Sequence, residues 1–334
     1  MNLRIPEGYK SSLNLYDTQA AISFIKKHFE EKLVNSLNLH RVSAPLFVEK
    51  NSGLNDDLDG KVQPVSFNAP YIDKDCAIVH SLAKWKRMAL KEYGFYEGNG
   101  LYTDMNAIRK EEQLDNLHSI YVDQWDWEKV INASDRNLTY LSETVSKIHN
   151  CILETLEELK KKYPTIKTTL ENKLTFISSQ ELLDMYPNLD ANQRELEICK
   201  KYKSVFITGI GKKLSNGLAH GQRASDYDDW ELNGDLLYYD ELLDCQLEIS
   251  SMGIRVDENS LAKQLEISNE QYKKDLKYHS MILNKQLPLT IGGGIGESRL
   301  CMLLMNKVHI GEVQSSIWDD ETLNTCKEKG VIIL

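Results

Sequence analysis

The spacing of apolar residues divides the chain into helical and extended stretches. Between residues 18 and 37, Ile22, Ile25, Phe29 and Leu33 recur every three or four positions, with Lys26, Lys27, Glu30 and Glu31 mostly opposite them. This spacing predicts an amphipathic helix. Residues 39–45 read as a short strand ending at Pro45, and the polar, glycine-bearing stretch 49–60 reads as a loop. A helix is predicted over 80–93 with Ser81 as its N-cap. Residues 121–128 alternate as a strand does, with Val122, Gln124, Asp126 and Glu128 on one face and Trp125 and Trp127 on the other. A long helix is predicted over 135–162, closing on Lys160, Lys161 and Lys162, charges that suit a helix C-terminus. Short strands at 174–177 and 205–208 enclose helices starting near 179 and 190. A Gly/Asp-rich connection over 209–235 leads to paired strands at 236–239 and 246–250. Residues 258–286 read as helical, and a glycine run at 292–296 leads into an apolar helix over 298–305. Helices and antiparallel strands are mixed without a regular βαβ beat, which predicts an α+β fold.

Composition narrows the function. The 334 residues carry 40 Lys and Arg against 50 Asp and Glu, a formal charge of −10, with 41% apolar and 27% charged residues. The 16 Tyr, 7 Phe and 5 Trp oppose a disordered chain. No stretch approaches the roughly 18 consecutive apolar residues of a membrane span. The negative balance opposes a surface built for nucleic-acid phosphates. None of the six cysteines lies within three residues of another, so there is no C-x-x-C motif. Such cysteines are expected as small core residues in a reducing compartment. The start, MNLRIPEGYK, lacks the apolar segment of a secretion signal, and the expected location is the cytoplasm.

Five stretches carry candidate chemistry. The run Gly292-Gly293-Gly294-Ile295-Gly296 is followed by Arg299. It is neither a dinucleotide fingerprint nor a Walker A loop. It fits a tight turn into a buried helix, or an anion site completed by the arginine. Gly209-Ile210-Gly211-Lys212-Lys213 reads as a turn. Asp226, Asp228, Asp229 and Asp235 precede the strand pair that bears Glu248; they form either a solvated acidic loop or a set of oxygen ligands for Mg2+. In 248–255, Glu248 and Ser250 are expected to project together, and Gly253 to permit a bulge that redirects Arg255. Arg109, Lys110, Glu111 and Glu112 sit at the mouth of a hairpin whose return strand bears Gln124, Asp126 and Glu128, a row that is either solvent-facing or the floor of a site. The eight histidines show no metal-binding spacing, and there is no G-x-S-x-G elbow.

Taken in order, these motifs resemble the class II aminoacyl-tRNA synthetases, above all their aspartyl and asparaginyl members. The helix and strand ending at Pro45 resemble motif 1 (about 18–45), Arg109-x-Glu111-Glu112 with Gln124-x-Asp126-x-Glu128 resembles motif 2 (about 105–128), and Gly294-x-Gly296-x-x-Arg299 resembles motif 3 (about 291–305). The stretches 80–87, 121–128 and 291–296 are more specific still and are similar to the ammonia-dependent asparagine synthetases, the aspartate–ammonia ligases. That resemblance runs over 18–320. It implies a mainly antiparallel sheet flanked by helices, one catalytic domain over 1–334, and a homodimer built on motif 1. It also implies an ATP-dependent amidation of L-aspartate by ammonia through a β-aspartyl-adenylate, with Mg2+, giving L-asparagine, AMP and diphosphate.

By the same resemblance, Arg109 holds the α-phosphate and Arg299 the γ-phosphate. Asp235 and Glu248 hold Mg2+, and Ser251, Gly292, Gly293 and Gly294 shape the nucleotide pocket. For aspartate, Lys86 and Arg255 clamp the α-carboxylate, Asp126 takes the ammonium group, Gln124 directs the β-carboxylate, and Ser81 and Asp228 complete the site. Asp56 orients ammonium and removes its proton. The position that stacks adenine in the synthetases is Val122 here, leaving Tyr121 and Tyr227 as aromatic candidates. Three rivals are disfavoured. A tRNA synthetase of this subgroup needs an anticodon-binding module ahead of motif 1. A glutamine-dependent enzyme needs a cysteine nucleophile, whereas residue 2 is Asn2. A non-catalytic binder has no need of the phosphate-clamping arginines.

Overall fold

The computed structural model describes residues 3–56 and 62–334; Asn2 and part of the 49–60 loop lie outside the described residues. In chain order the elements are α1 Leu15–Leu37, β1 Leu39–Arg41, β2 Phe47–Glu49, β3 Ser66–Ala69, β4 Lys74–Ile78, α2 Ala83–Glu92, β5 Gly100–Ile108 and β6 Tyr121–Val130. They continue as α3 Leu138–Lys162, β7 Thr175–Ser178, α4 Ser179–Met185, α5 Ala191–Tyr202, β8 Ser204–Thr208, β9 Asp228–Asp240 and β10 Cys245–Arg255. The last are α6 Glu258–Ile267, α7 Lys277–Leu283, β11 Thr290–Gly296, α8 Glu297–Met305 and α9 Asp320–Glu328. Eight strands form one sheet in the order β1-β5-β6-β11-β10-β9-β8-β7, and β2-β4-β3 form a small second sheet. In the large sheet only β1–β5 and β7–β8 run parallel. This is the mainly antiparallel α+β architecture expected.

Local chemistry explains the boundaries. Asn14 accepts from the Asp17 N–H at 2.8 Å and starts α1 three residues before the apolar pattern does. Asn137 caps α3 in the same way through Tyr140 N–H at 2.9 Å, after a separate 3-10 turn over Ala133–Asp135. The expected helix over 258–286 is broken into α6 and α7, and Asn269, with φ +57°, turns the chain between them. The glycine run is itself a strand, β11, rather than a turn. It lies in the middle of the sheet, antiparallel to β6 on one side and β10 on the other. Ser81 is not a helix cap: its Oγ accepts from Ala83 N–H at 3.1 Å, and α2 begins only there.

The largest core cluster lies on one side of the sheet, and a smaller one, with Val205, Ile207 and Leu237 packed against Leu182 of α4 and Ile198 of α5, lies on the other. Trp125 and Trp127 join Ile25, Phe29 and Leu33 of α1, Leu141, Val145 and Ile148 of α3, and Leu300 and Leu304 of α8 in a single buried cluster. The Phe29 and Trp125 rings meet at 4.8 Å. Every second residue of β6 is thereby consumed, and Gln124, Asp126 and Glu128 project from the other face. All six cysteines are free thiols, five of them buried. Among the described residues, no helix is long and apolar enough to cross a membrane.

Candidate active site

A cavity of about 400 Å3 opens over the exposed face of β6, β11 and β10. Its wall contains Asp56, Ser81, Lys86, Arg109, Gln124, Asp126, Asp228, Asp235, Glu248, Ser251, Arg255, Gly293, Gly294 and Arg299. These come from elements spread over some 240 residues of sequence, and the sheet brings them together.

Gly292 is the exception among the predicted residues. It does not line the cavity, because the Glu128 carboxylate fills the place a side chain would take. Gly294 likewise leaves room for the Gln124 amide, and at Gly293 a Cβ would lie 2.5 Å from that of Met252. These glycines serve close approach of neighbouring strands, at ordinary φ.

One end of the cavity is a chain of buried charges. Lys86, fully buried on α2, donates to Asp126 Oδ1 and, at 3.0 Å, to the Gly293 carbonyl. Burial pushes the Lys86 ammonium below its usual pKa, against the pull of Asp126. The Arg255 guanidinium donates to both Glu128 oxygens, from Nε at 3.0 and 3.1 Å and from Nη2 at 2.8 Å, and pairs through Nη1 with Asp228. Thr290 adds a hydrogen bond to Glu128 at 2.7 Å. Burial opposes the charged form of Glu128, but Arg255 outweighs it and holds the carboxyl below its usual range. Tyr227 lies under Arg255, 5.7 Å from ring centre to guanidinium carbon, and donates to Asp56 Oδ2 at 3.1 Å. Tyr227 is therefore tied into this end of the cavity. Within the network one acceptor is left over: Asp126 Oδ2 is buried and meets no donor among the described residues.

The middle of the cavity is cationic around two carboxylates. Arg109 follows β5, and no described residue pairs with its guanidinium; its Nε is buried. Arg299, on α8, donates from Nη1 to the Glu248 carbonyl at 3.0 Å. Arg223 pairs with Asp235 at 2.6 Å and donates to Ser251 Oγ. Partial desolvation at the cavity wall and nearby Asp235 raise the pKa of Glu248, although its side chain remains open to solvent. A bulge between Glu248 and Ser250 overturns the expectation that those two share a face. Ser250 turns away and donates to the Gly294 carbonyl at 2.8 Å, so Ser251 accompanies Glu248 instead. The expected bulge between Gly253 and Arg255 is present and aims the guanidinium inward.

The acidic run 226–229 is no solvated loop, since β9 begins at Asp228. Asp226 is buried and takes Lys84 at 3.0 Å and His279 at 2.9 Å, Asp228 takes Arg255, and Asp229 takes Arg136 at 2.8 Å. Asp235, although paired with Arg223, lies beside Glu248 in the cavity. Among the described residues, no group of three or more His, Cys, Asp or Glu forms a metal cage. Two neighbouring carboxylates fit Mg2+, which binds one or two protein carboxylates and fills its remaining positions with phosphate and water.

The comparisons with known proteins decide the family. The family model described as aspartate–ammonia ligase matches residues 16–330. The chain belongs to the aspartate–ammonia ligase family. It is 55% identical to the aspartate–ammonia ligase of Clostridium perfringens (strain 13 / Type A) over 333 residues, 99% of each chain. It is 54% identical to that of Ligilactobacillus salivarius over 336 residues, the whole of both. Among solved structures, it matches the asparaginyl-tRNA synthetase of Pyrococcus horikoshii complexed with asparaginyl-adenylate, with TM-score 0.66 and 16% identity, over 89% of this chain and 68% of that one. The aspartyl-tRNA synthetase of Entamoeba histolytica matches with TM-score 0.60 and 15% identity, over 92% and 58%. The fold is thus that of a class II synthetase, and the chain is an enzyme, an aspartate–ammonia ligase.

Among the residues of this ligase cavity that escaped the sequence reading are Arg223 and Gln314. Arg223 stands alone in a Gly/Asp-rich connection with no periodicity to mark it. Gln314 lies beyond the glycine motif in a stretch without a recognisable pattern.

Proposed function

We propose that the cavity activates L-aspartate with ATP and transfers the acyl group to ammonia. The observation that carries this reading is the charged end of the cavity. It combines a buried cation pair, Lys86 and Arg255, with one unpartnered carboxylate oxygen, Asp126 Oδ2, a set complementary to an α-amino acid. Lys86 and Arg255 hold the α-carboxylate, Asp126 Oδ2 the ammonium group, and Ser81 lines the same end. Asp228 steadies Arg255. Gln124, two residues along β6, directs the β-carboxylate towards the middle of the cavity.

A carboxylate is a poor acylating agent, so activation comes first. The β-carboxylate oxygen attacks the α-phosphorus in line, the bond to the β-phosphate oxygen breaks, and diphosphate leaves. Arg109 stabilises the charge developing on the α-phosphoryl oxygens and Arg299 that on the γ-phosphate. Asp235 and Glu248 would hold Mg2+, which would supply further positive charge to the triphosphate. Ser251, Gly293 and Gly294 bound the nucleotide. Ammonia then attacks the acyl carbon of the β-aspartyl-adenylate, the bond to the AMP phosphate oxygen breaks, and the added nitrogen passes its extra proton to the departing phosphate, leaving asparagine and AMP. Ammonium must lose a proton before it is nucleophilic, and Asp56, at the cavity wall beside Tyr227, accepts it.

Residues 1–334 act as one catalytic domain, and α1 with β1 forms a homodimer contact. The acceptor is ammonia rather than a nucleic acid, in keeping with the charge of −10. The test is AMP and asparagine formation from ATP and aspartate with ammonium, with glutamine, and with neither. Equal amounts of AMP and asparagine should appear with ammonium alone. Equal rates with glutamine, or ADP in place of AMP, would exclude the mechanism.

A further inference from the structure

The end of the cavity away from Lys86 and Arg255 has a different lining. Leu117 and Ile310 line it together with Gln314, beside the polar His118, Ser119 and Tyr121. Gln314 is buried, and its backbone N–H donates to the Ile310 carbonyl at 3.0 Å. Its side-chain amide is fixed by two acceptors. Nε2 donates to Asp123 Oδ1 at 3.2 Å and to Ser298 Oγ at 3.1 Å, and Ser298 Oγ in turn donates to Asp123 Oδ2 at 2.8 Å. A carboxylate only accepts, and the serine proton is already committed, so the nitrogen must face this pair. Asp123 is itself held by Lys26 from α1 at 3.0 Å, which makes the anchor rigid. The other atom of the amide, Oε1, is left buried and meets no donor among the described residues. A buried acceptor without a donor is costly in a folded protein and points to a ligand that completes it.

We infer that Gln314 reads the base of the nucleotide: Oε1 accepts a hydrogen bond from the 6-amino group of adenine. This rests on the reading of the cavity as an ATP site. Leu117 and Ile310 offer apolar surface beside Gln314 that suits the face of a purine better than a sugar. The fixed amide presents an acceptor only, so a 6-oxo purine would set oxygen against oxygen. Gln314 is thus a specificity-determining residue, and Asp123 and Ser298 position it.

The experiment measures kcat/KM of asparagine formation for ATP, for purine riboside triphosphate, which lacks the amino group, for inosine triphosphate, and for 2′-deoxy-ATP. In the wild type, ATP should exceed both purine riboside triphosphate and inosine triphosphate by at least about fivefold, the order of one lost hydrogen bond. Gln314→Met keeps the length of the side chain and removes the acceptor. In that variant the ATP-to-inosine triphosphate ratio should fall at least about fivefold. The ratio is taken within one protein, so a purely structural loss of activity would leave it unmoved. A smaller change in the ratio overturns the inference. So does a penalty for 2′-deoxy-ATP that disappears in Gln314→Met, since the donor would then be a ribose hydroxyl. Should the variant fail to fold, the wild-type comparison still decides: equal use of ATP and purine riboside triphosphate refutes the role. A wild type that makes no asparagine from ATP, aspartate and ammonium instead defeats the ligase reading itself.

Discussion

The two faces of β6 are equally dry and chemically opposite. Trp125 and Trp127 are 1% and 0% exposed on the helix-covered face, and Asp126 and Glu128 are 3% and 0% exposed on the cavity face. Burial therefore does not separate core from site; the way the buried atoms are satisfied does. The tryptophans are surrounded by aliphatic side chains of α1, α3 and α8. The acids are held by Arg255, Lys86 and Thr290. On that face the compensation is complete for Glu128 and half complete for Asp126, whose second oxygen is vacant. Trp127 Nε1 is also buried without an acceptor among the described residues, but it is a neutral donor inside the apolar cluster, whereas Asp126 Oδ2 is an anionic acceptor on a residue that lines the cavity.

The largest break between the faces is expected at Arg109. Its guanidinium has no partner among the described residues, so the fold should not depend on it. Arg109→Ala should lower kcat/KM by about 10³-fold or more, in the range of losing a preorganised charge at a reacting phosphate. The thermal midpoint should move by no more than about 2 °C, as for a substitution outside the core. Retained activity, or a large drop in the midpoint, would remove Arg109 from the reacting centre.

Next come paired truncations, one on each face. Trp127→Ala should cost about 3–5 kcal/mol through cavity formation. Glu128→Ala should cost a similar amount, about 3–5 kcal/mol, because it removes the bidentate partner of a buried cation and leaves Arg255 with Asp228 alone. Denaturant titration measures both. If Glu128→Ala were close to neutral, water would have to reach Arg255, and the cavity end would not be dry.

Smaller, and confined to one ligand, is the effect of Asp126→Asn. Shape is kept while the charge facing the substrate ammonium is lost. KM for aspartate should rise about 100-fold, the worth of a charge-assisted hydrogen bond, with KM for ATP nearly unchanged. Parallel rises in both constants would place Asp126 in support of the whole cavity rather than of the amino acid.

These residues also show what was legible in the sequence. The alternation of 121–128 separated the tryptophans from the acids because a strand has period two, and the arginines could be placed once the motifs were recognised in order. The register of β10 was not legible. A bulge between Glu248 and Ser250 is decided by pairing with β9, and that is what exchanges Ser250 for Ser251 in the cavity. The pairing of Asp226 with Lys84 and His279 joins residues 142 and 53 positions apart, and local pattern carries no trace of it. Glycine at 292 signalled close approach correctly, but whether to a ligand or to Glu128 depended on the neighbouring strand.

The finest test asks how the apolar side handles a titratable group. His309 is buried against Trp318, at 4.8 Å between ring centres, and its Nδ1 accepts from Gly311 N–H at 2.9 Å. That bond requires a bare nitrogen, so the ring is neutral. Burial pushes its pKa down to about 4, and the more distant Asp115 and Asp319 only partly resist. The folded value is below the unfolded value of about 6.5, so the unfolded chain binds the proton more readily. Stability is therefore fully present above about pH 6.5 and is lost as pH falls from there towards 4. By pH 5 the loss from this group should reach about 2 kcal/mol relative to pH 7. His309→Gln keeps an acceptor for Gly311 and cannot titrate, so its denaturation midpoint should fall less between pH 7 and pH 5 than that of the wild type. Identical slopes would mean that His309 is protonated without penalty. The helix-covered side would then tolerate a charge as readily as the cavity face does, and the contrast between the two faces of β6 would not extend to the turn at 310–312.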